Sequence, residues 1–308
     1  MSDWNQIVTV NGNIAPEELG VTYVHEHIMV KPQLPDEKYD AYTLDNEEKS
    51  RAEVQKFANA GGRTIVEMTP IHYGRNVRAL QRIANVTGTR IICTTGYHKE
   101  LFQPRWFCEK NDEELYEILI DEILNGMDGS DVHPGVVKFG TSYNEITKQE
   151  ERAIRVVAKV HKNTGIPIST HCDKGTMGME QVKRLDALGV DLRRVLLCHI
   201  DSAEDYEYAK ELCKTGVHIC FDHVGRELKD HDQMRVQMIV KLIEDGFLRQ
   251  LHISGDMGKK DYFTTYGGRP GLTYILTDLK EELLKYISLE DYNQIMIGNP
   301  ARYLAGEP

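Results

Sequence analysis

The sequence predicts a (β/α)8 barrel, an α/β fold in a single domain spanning residues 1–308. Three observations carry that expectation. Eight short runs rich in β-branched residues recur along the chain, charged segments with helical period separate them, and no glycine-rich phosphate loop follows the first run. Strands that alternate with helices pair in parallel, because a parallel neighbour needs a long crossover. Eight such units take about 250 residues or more, and the chain has 308. A doubly wound open sheet is the main rival, but His-Glu-His stands where its phosphate loop belongs.

The first run is "VTYVHEH" (21–27), where Val21, Tyr23 and Val24 favour a strand. Alternate side chains of a strand share a face, so His25 and His27 point together and Glu26 points away. On a helix the two histidines would diverge by roughly 200°. The other runs are "RTIVEMT" (63–69), "RIICTTG" (90–96), "GVVKFG" (135–140), "IPISTH" (166–171), "RVLLCH" (194–199), "VHICFD" (217–222) and "LHISGD" (251–256). Helical period marks "EERAIRVVAKVHKNTG" (150–165), "GMEQVKRLDALG" (178–189) and "DQMRVQMIVKLIEDGF" (232–247). Gly165, Gly189, Gly216 and Gly246 fall where such helices should stop.

Composition narrows the function. An apolar fraction of 41% supports a sizeable core, and no stretch approaches the roughly 18 apolar residues of a membrane span. A net charge of -11 argues against broad affinity for nucleic acid or an anionic membrane, but leaves room for a small anionic substrate. The opening "MSDWNQIVTVNG" lacks a basic segment followed by an apolar one, so a cytoplasmic location is expected. Six scattered cysteines read as reduced thiols there. Strand alternation turns Cys172 and Cys198 away from their neighbouring histidines, toward the helices.

In a barrel the chemistry lies at the C-terminal ends of the strands. Those ends hold His25 and His27, Lys138, His171, His199 and Asp256. Each alone has an ordinary explanation: a core histidine, a snorkelling lysine, a helix N-cap. Together, at equivalent ends of separate strands, they point to a metal cup. Imidazole and carboxylate suit Zn²⁺, with Co²⁺ or Mn²⁺ as alternatives. Lys138 fits only awkwardly, since an ammonium repels cations. Carboxylation by CO₂ would turn it into a carbamate able to bridge two metals.

The set "HEH", "GVVKFG", "STHCD", "LLCHIDS" and "ISGDM" resembles, in order and over nearly the whole chain, the phosphotriesterase-related family of the amidohydrolase superfamily. Within it the set is similar to hydrolases of phosphorylated sugar lactones. The resemblance implies a barrel with two metal ions at its rim. His25, His27 and Asp256 would hold the more buried ion, His171 and His199 the more exposed one, and carboxylated Lys138 would bridge them. It also implies ester hydrolysis by a hydroxide shared between the metals, with Asp256 taking its proton and returning it to the leaving oxygen.

The loops bear on the substrate. "TTGYHKE" (94–100), "DHVGRELKD" (222–230) and "DMGKKDYFTTYGGRPG" (256–271) bring Tyr97, Arg226, Lys259, Lys260 and Arg269 to the catalytic rim. Cations there suit an anionic substrate, so a phosphorylated sugar lactone is expected. An organophosphate triesterase, an acyl-homoserine lactonase and a silent barrel that only binds are the rivals. His72, His98, His223 and His231 rank lower, as loop residues that could touch substrate or water. A homodimer is compatible with the fold, but no interface is legible.

Overall fold

The computed structural model describes residues 6–34, 36–226 and 229–306. The opening residues 1–5, which contributed to the reading of the N-terminus, and residues 227–228 of the 222–230 loop lie outside the described residues. A hairpin that the sequence reading did not foresee comes first, β1 (Ile7–Thr9) antiparallel to β2 (Gly12–Ile14). The eight predicted runs then appear in order as β3 (Thr22–Glu26), β4 (Thr64–Glu67), β5 (Arg90–Gly96), β6 (Pro134–Thr141), β7 (Ile168–Cys172), β8 (Val195–Cys198), β9 (His218–Phe221) and β10 (Leu251–Ile253). They form one parallel sheet in sequential order, so every crossover joins adjacent strands. That is a (β/α)8 barrel.

The seam between β10 and β3 is closed by a side chain. Ser254 Oγ donates to His25 O at 2.7 Å and accepts from His25 N at 3.1 Å, while Asp256 N donates to His25 O at 3.0 Å. Sheet closure and site assembly therefore share the same atoms.

Helices α1 (Glu47–Asn59), α2 (Val77–Thr87), α3 (Trp106–Glu109), α4 (Asp112–Asn125), α5 (Lys148–Thr164), α6 (Gly178–Ala187), α7 (Tyr206–Lys214) and α8 (Lys229–Glu244) follow their strands. Helix α5 shows how local sequence sets the boundaries. Thr147 and Glu150 form a capping box at its start, and Gly165 ends it with φ 70°, where a Cβ would be strained. The chain closes with α9 (Asp278–Leu283), α10 (Leu289–Asn293) and α11 (Asn299–Ala305). Among the described residues no helix is long and apolar enough to cross a membrane.

Two apolar layers result. The larger lies between sheet and helices, as where Tyr23 meets Phe57 of α1 edge-on at 4.7 Å. The smaller fills the barrel with Val24, Val66, Ile92, Val136, Leu196 and Cys220, and is plugged from below by Ile7 of the hairpin and Tyr303 of α11. Each fully buried aliphatic side chain contributes roughly 1.5–3 kcal/mol. Above this packed floor a cavity opens at the upper rim, where the site forms.

Candidate active site

The six residues singled out at the strand ends line one cavity of about 510 Å³. Plain strand alternation does not bring them there. Between Tyr23 and Glu26 the pairing with β4 slips by one residue, so two residues of β3 oppose one of its neighbour. Such a bulge re-aims side chains. It lets Val24 fill the barrel while His25, the next residue, enters the cavity. His199 and Asp256 lie just beyond their strands with positive φ, 66° and 40°. This strained backbone swings both side chains over the rim. It also corrects one expectation: Cys198 packs inside the barrel, against Ser169 at 3.4 Å, because alternation from Leu196 faces it inward and the kink at His199 brings the next residue to the same side. Cys172 packs between barrel and helices as expected.

The side chains converge. Asp256 Oδ1 lies 3.1 Å from His27 Nε2 and 3.4 Å from His25 Nε2. His199 Nε2 lies 2.8 Å from His171 Nδ1. Ligand atoms of His25, His199 and Asp256 all fall within 4.8 Å of one another. Lys138 is 1% exposed, and its Nζ donates to Met68 O at 3.2 Å.

Supporting groups that the sequence reading passed over hold these ligands in place. Asp222, at the end of β9, is fully buried between two histidines: Oδ1 is 2.8 Å from His199 Nδ1 and Oδ2 is 3.2 Å from His25 Nδ1. It also accepts the His199 backbone N–H. Asp201 in turn accepts the backbone N–H groups of Asp222 and His223, and Arg235 donates to it at 2.7 Å. Glu26, turned away from the histidines as alternation required, takes N–H groups of Gly255 and Met257 and so fixes the loop that carries Asp256. The signal for Asp222 was its place at the end of the seventh run, equivalent to those of the histidines.

Charge and burial shape the cup. Burial and the Lys138 amine lower the His25 imidazole to about 3, so it is neutral and keeps a lone pair. Burial raises the Asp256 carboxyl, but Arg226 and the histidines outweigh it and hold the group well below the usual carboxylate range. Burial also lowers the Lys138 amine. His25 Nε2 and His171 Nε2 are buried and make no hydrogen bond among the described residues. A buried polar atom left without a partner is costly, and neutral imidazole nitrogens beside a carboxylate are the donor set of a borderline divalent cation. The residues fit a metal centre.

The cavity walls sort the substrate candidates. Arg226 and Lys259 line the cavity. Arg226 Nη2 is 2.5 Å from Asp256 Oδ2 and its Nε donates to Gly255 O, so one side of the guanidinium is committed to the ligand loop. Lys259 Nζ sits 4.6 Å from the centroid of Tyr42 and 5.6 Å from that of Tyr262. Three expectations are corrected. Tyr97 is fully buried against Phe107, and its hydroxyl donates to Leu115 O, because the loop turns it into the outer core. Lys260 and Arg269 are not among the lining residues: a tight turn at Lys260–Tyr262 returns Tyr262, not Lys260, to the cavity, and Arg269 is exposed, its backbone N–H donating to Asp261 O. His98 and His223 do line the cavity, whereas His72 and His231 do not. Tyr42, Tyr73, Phe102, Lys99 and Asp173 also line it, with Lys174, Glu204, Arg235 and Tyr262 among the remaining wall residues.

Comparison with known proteins agrees with this geometry. Residues 5–304 match the phosphotriesterase family. A phospho-furanose lactonase of Mycoplasmopsis synoviae is 32% identical over 321 residues, covering 96% of this chain and 91% of its own. The crystal structure of a lactonase from Listeria monocytogenes superposes with a TM-score of 0.93 at 34% identity, over 98% of this chain and 100% of that one. The phosphotriesterase homology protein of Escherichia coli, solved with phosphate in its active site, superposes with a TM-score of 0.87 at 29% identity, over 93% and 99% of the two chains.

Proposed function

The chain belongs to the phosphotriesterase family of metal-dependent hydrolases, and on that premise we propose that it opens the ester ring of a phosphorylated sugar lactone. The observation that carries the reading is the cavity itself. Its floor is the histidine and aspartate cup, and its wall presents Lys259, bonded to no carboxylate among the described residues, beside Arg226. A triesterase or long-chain lactonase needs a mostly apolar wall, and a phosphate needs cations.

In this reading His25, His27 and Asp256 would hold one divalent ion, His171 and His199 would hold a second, and Lys138, as a carbamate, would add its oxygens to the donor set. Zinc fits the donors best. The lowered amine of Lys138 supports the modification, since the neutral amine is the form that forms an N–C bond to CO₂ and releases a proton. When bound, such a pair supplies a nucleophilic water near neutral pH and Lewis-acid polarisation of the ester oxygen. The protein's part is positioning and proton transfer. Asp256, held low by Arg226 and the histidines, is a carboxylate ready to take the attacking water's proton. His223 Nε2 is 3.9 Å from Asp256 Oδ2, and its Nδ1 pairs with Ser202 Oγ at 2.7 Å, so it stands next along the path toward the leaving alkoxide.

Lys259→Ala tests the substrate. It should raise KM for a phosphorylated furanose lactone at least about 10-fold, the loss expected for one charge-assisted hydrogen bond, and leave an unphosphorylated lactone unchanged. Equal effects on both, or a wild-type preference for paraoxon in the same panel, would overturn the phosphate assignment.

A further inference from the structure

The cavity contains a histidine to which no metal-binding role falls. His98 is 5% exposed and lines the cavity beside His171, with ring centroids 4.7 Å apart. Its ring is clamped by Phe102 at 4.6 Å and Tyr73 at 5.1 Å, and Gln103 Nε2 donates to its carbonyl at 3.0 Å. The Lys99 backbone N–H donates to His98 Nδ1 at 2.7 Å.

That last contact decides the tautomer. A nitrogen that accepts a hydrogen bond carries no proton, so the proton of a neutral imidazole must sit on the other nitrogen. The other nitrogen, Nε2, makes no hydrogen bond among the described residues and belongs to a ring at the cavity wall. An N–H held rigid, without a partner, at the edge of a catalytic cup is the form a preorganised oxyanion donor takes.

We propose that His98 Nε2–H donates a hydrogen bond to the substrate's ester carbonyl oxygen as negative charge develops on it. The proposal rests on the hydrolase reading above. It adds a contact made by the chain alone: His98 meets the oxygen from the His171 side, and its packing spares the transition state any reorganisation. Because it addresses the carbonyl, its effect does not depend on whether the substrate carries phosphate.

Two substitutions separate this role from a structural one. His98→Asn retains an acceptor near Nδ1 for the Lys99 amide but loses the donor at Nε2. His98→Gln places an N–H near Nε2 but gives up the acceptor. With metal content matched, His98→Asn should lower kcat about 10²-fold on a phosphorylated and an unphosphorylated lactone alike, and His98→Gln should stay within a few-fold of wild type. The reverse order, equal losses in both, or no loss in either would overturn the proposal. Nitrogen-15 spectra of histidine-labelled, metal-free protein give a second readout. The resonance set missing from His98→Gln should show a protonated Nε2 and a bare Nδ1, and the opposite tautomer would overturn the assignment. Turnover of only unphosphorylated lactone would overturn the phosphate reading, and the Asn and Gln contrast is then read on that lactone; turnover of only paraoxon, which has no ester carbonyl, would overturn the carbonyl contact as well. Turnover of none of the three would overturn the hydrolase reading and with it the carbonyl contact.

Discussion

Among the described residues, two pairs of histidines meet ring nitrogen to ring nitrogen, one at each end of the barrel. At the rim His199 Nε2 meets His171 Nδ1 at 2.8 Å; at the floor His252 Nε2 meets His218 Nδ1, also at 2.8 Å. The floor pair and His199 are buried, and His171 is nearly so. Their company differs. The rim pair has Asp222, Asp256 and Lys138 around it and opens on the cavity. The floor pair packs on the Tyr303 ring at 5.8 and 6.0 Å, and the charges acting on His218 are Arg302 and Arg194. Two imidazoles in contact therefore do not make a metal site. Carboxylates that neutralise a cation and fix the histidine tautomers do, and these occur only at the rim among the described candidate groups.

The largest effect should come from the carboxylate at the centre of the rim. Asp256→Asn should cut kcat by about 10²–10⁴-fold, the range of a lost general base, with metal content close to normal by elemental analysis. Full turnover in that variant would remove Asp256 from proton transfer. His218→Asn at the floor should leave kcat within a few-fold.

Next in size is the support beneath the histidines. Asp222→Asn keeps the shape of the side chain but weakens its hold on His25 and His199. Metal affinity by chelator competition should fall about 10–100-fold, the usual effect of losing such a partner. Added zinc should raise Tm of wild type and of His218→Asn by the same amount. A larger loss in the floor variant would mean that the two ends are coupled, and the contrast drawn between them would fail.

The smallest effect concerns acid stability of the floor. Burial and nearby arginines depress His218 to about 3 from the usual 6.5. Below about pH 6.5 the unfolded chain takes a proton at this site that the folded chain refuses, so the unfolded state binds more protons and stability falls as pH drops toward 3. The loss approaches about 1.4 kcal/mol per pH unit for one such group. Denaturant titrations of His218→Asn between pH 7 and 4 should show a shallower fall than wild type, and an unchanged slope would show that His218 is charged or exposed when folded.

Much of this was legible in the linear chain. Eight β-rich runs gave eight strands within a few residues of their ends, because period and turn residues are local properties. The ends of those runs also marked His25, His27, Lys138, His171, His199 and Asp256, which all reach one cavity. Loop residues were harder. Arg226 and Lys259 reached the cavity and Arg269 did not, since a loop's direction depends on what it packs against. Tyr97 looked like a rim hydroxyl, yet the pocket formed by Phe107 and Leu115 O drew it into the core.

The sequence by itself determined the strand and helix order and the chemical type of each side chain at the rim, because both follow from local pattern. Only the tertiary structure decided where those side chains aim. The bulge in β3 and the positive φ of His199 and Asp256 override alternation, and they persist because neighbouring strands impose them. The partners Asp222 and His98 likewise acquire their roles from atoms that are remote in the chain but hydrogen-bonded or packed in the fold.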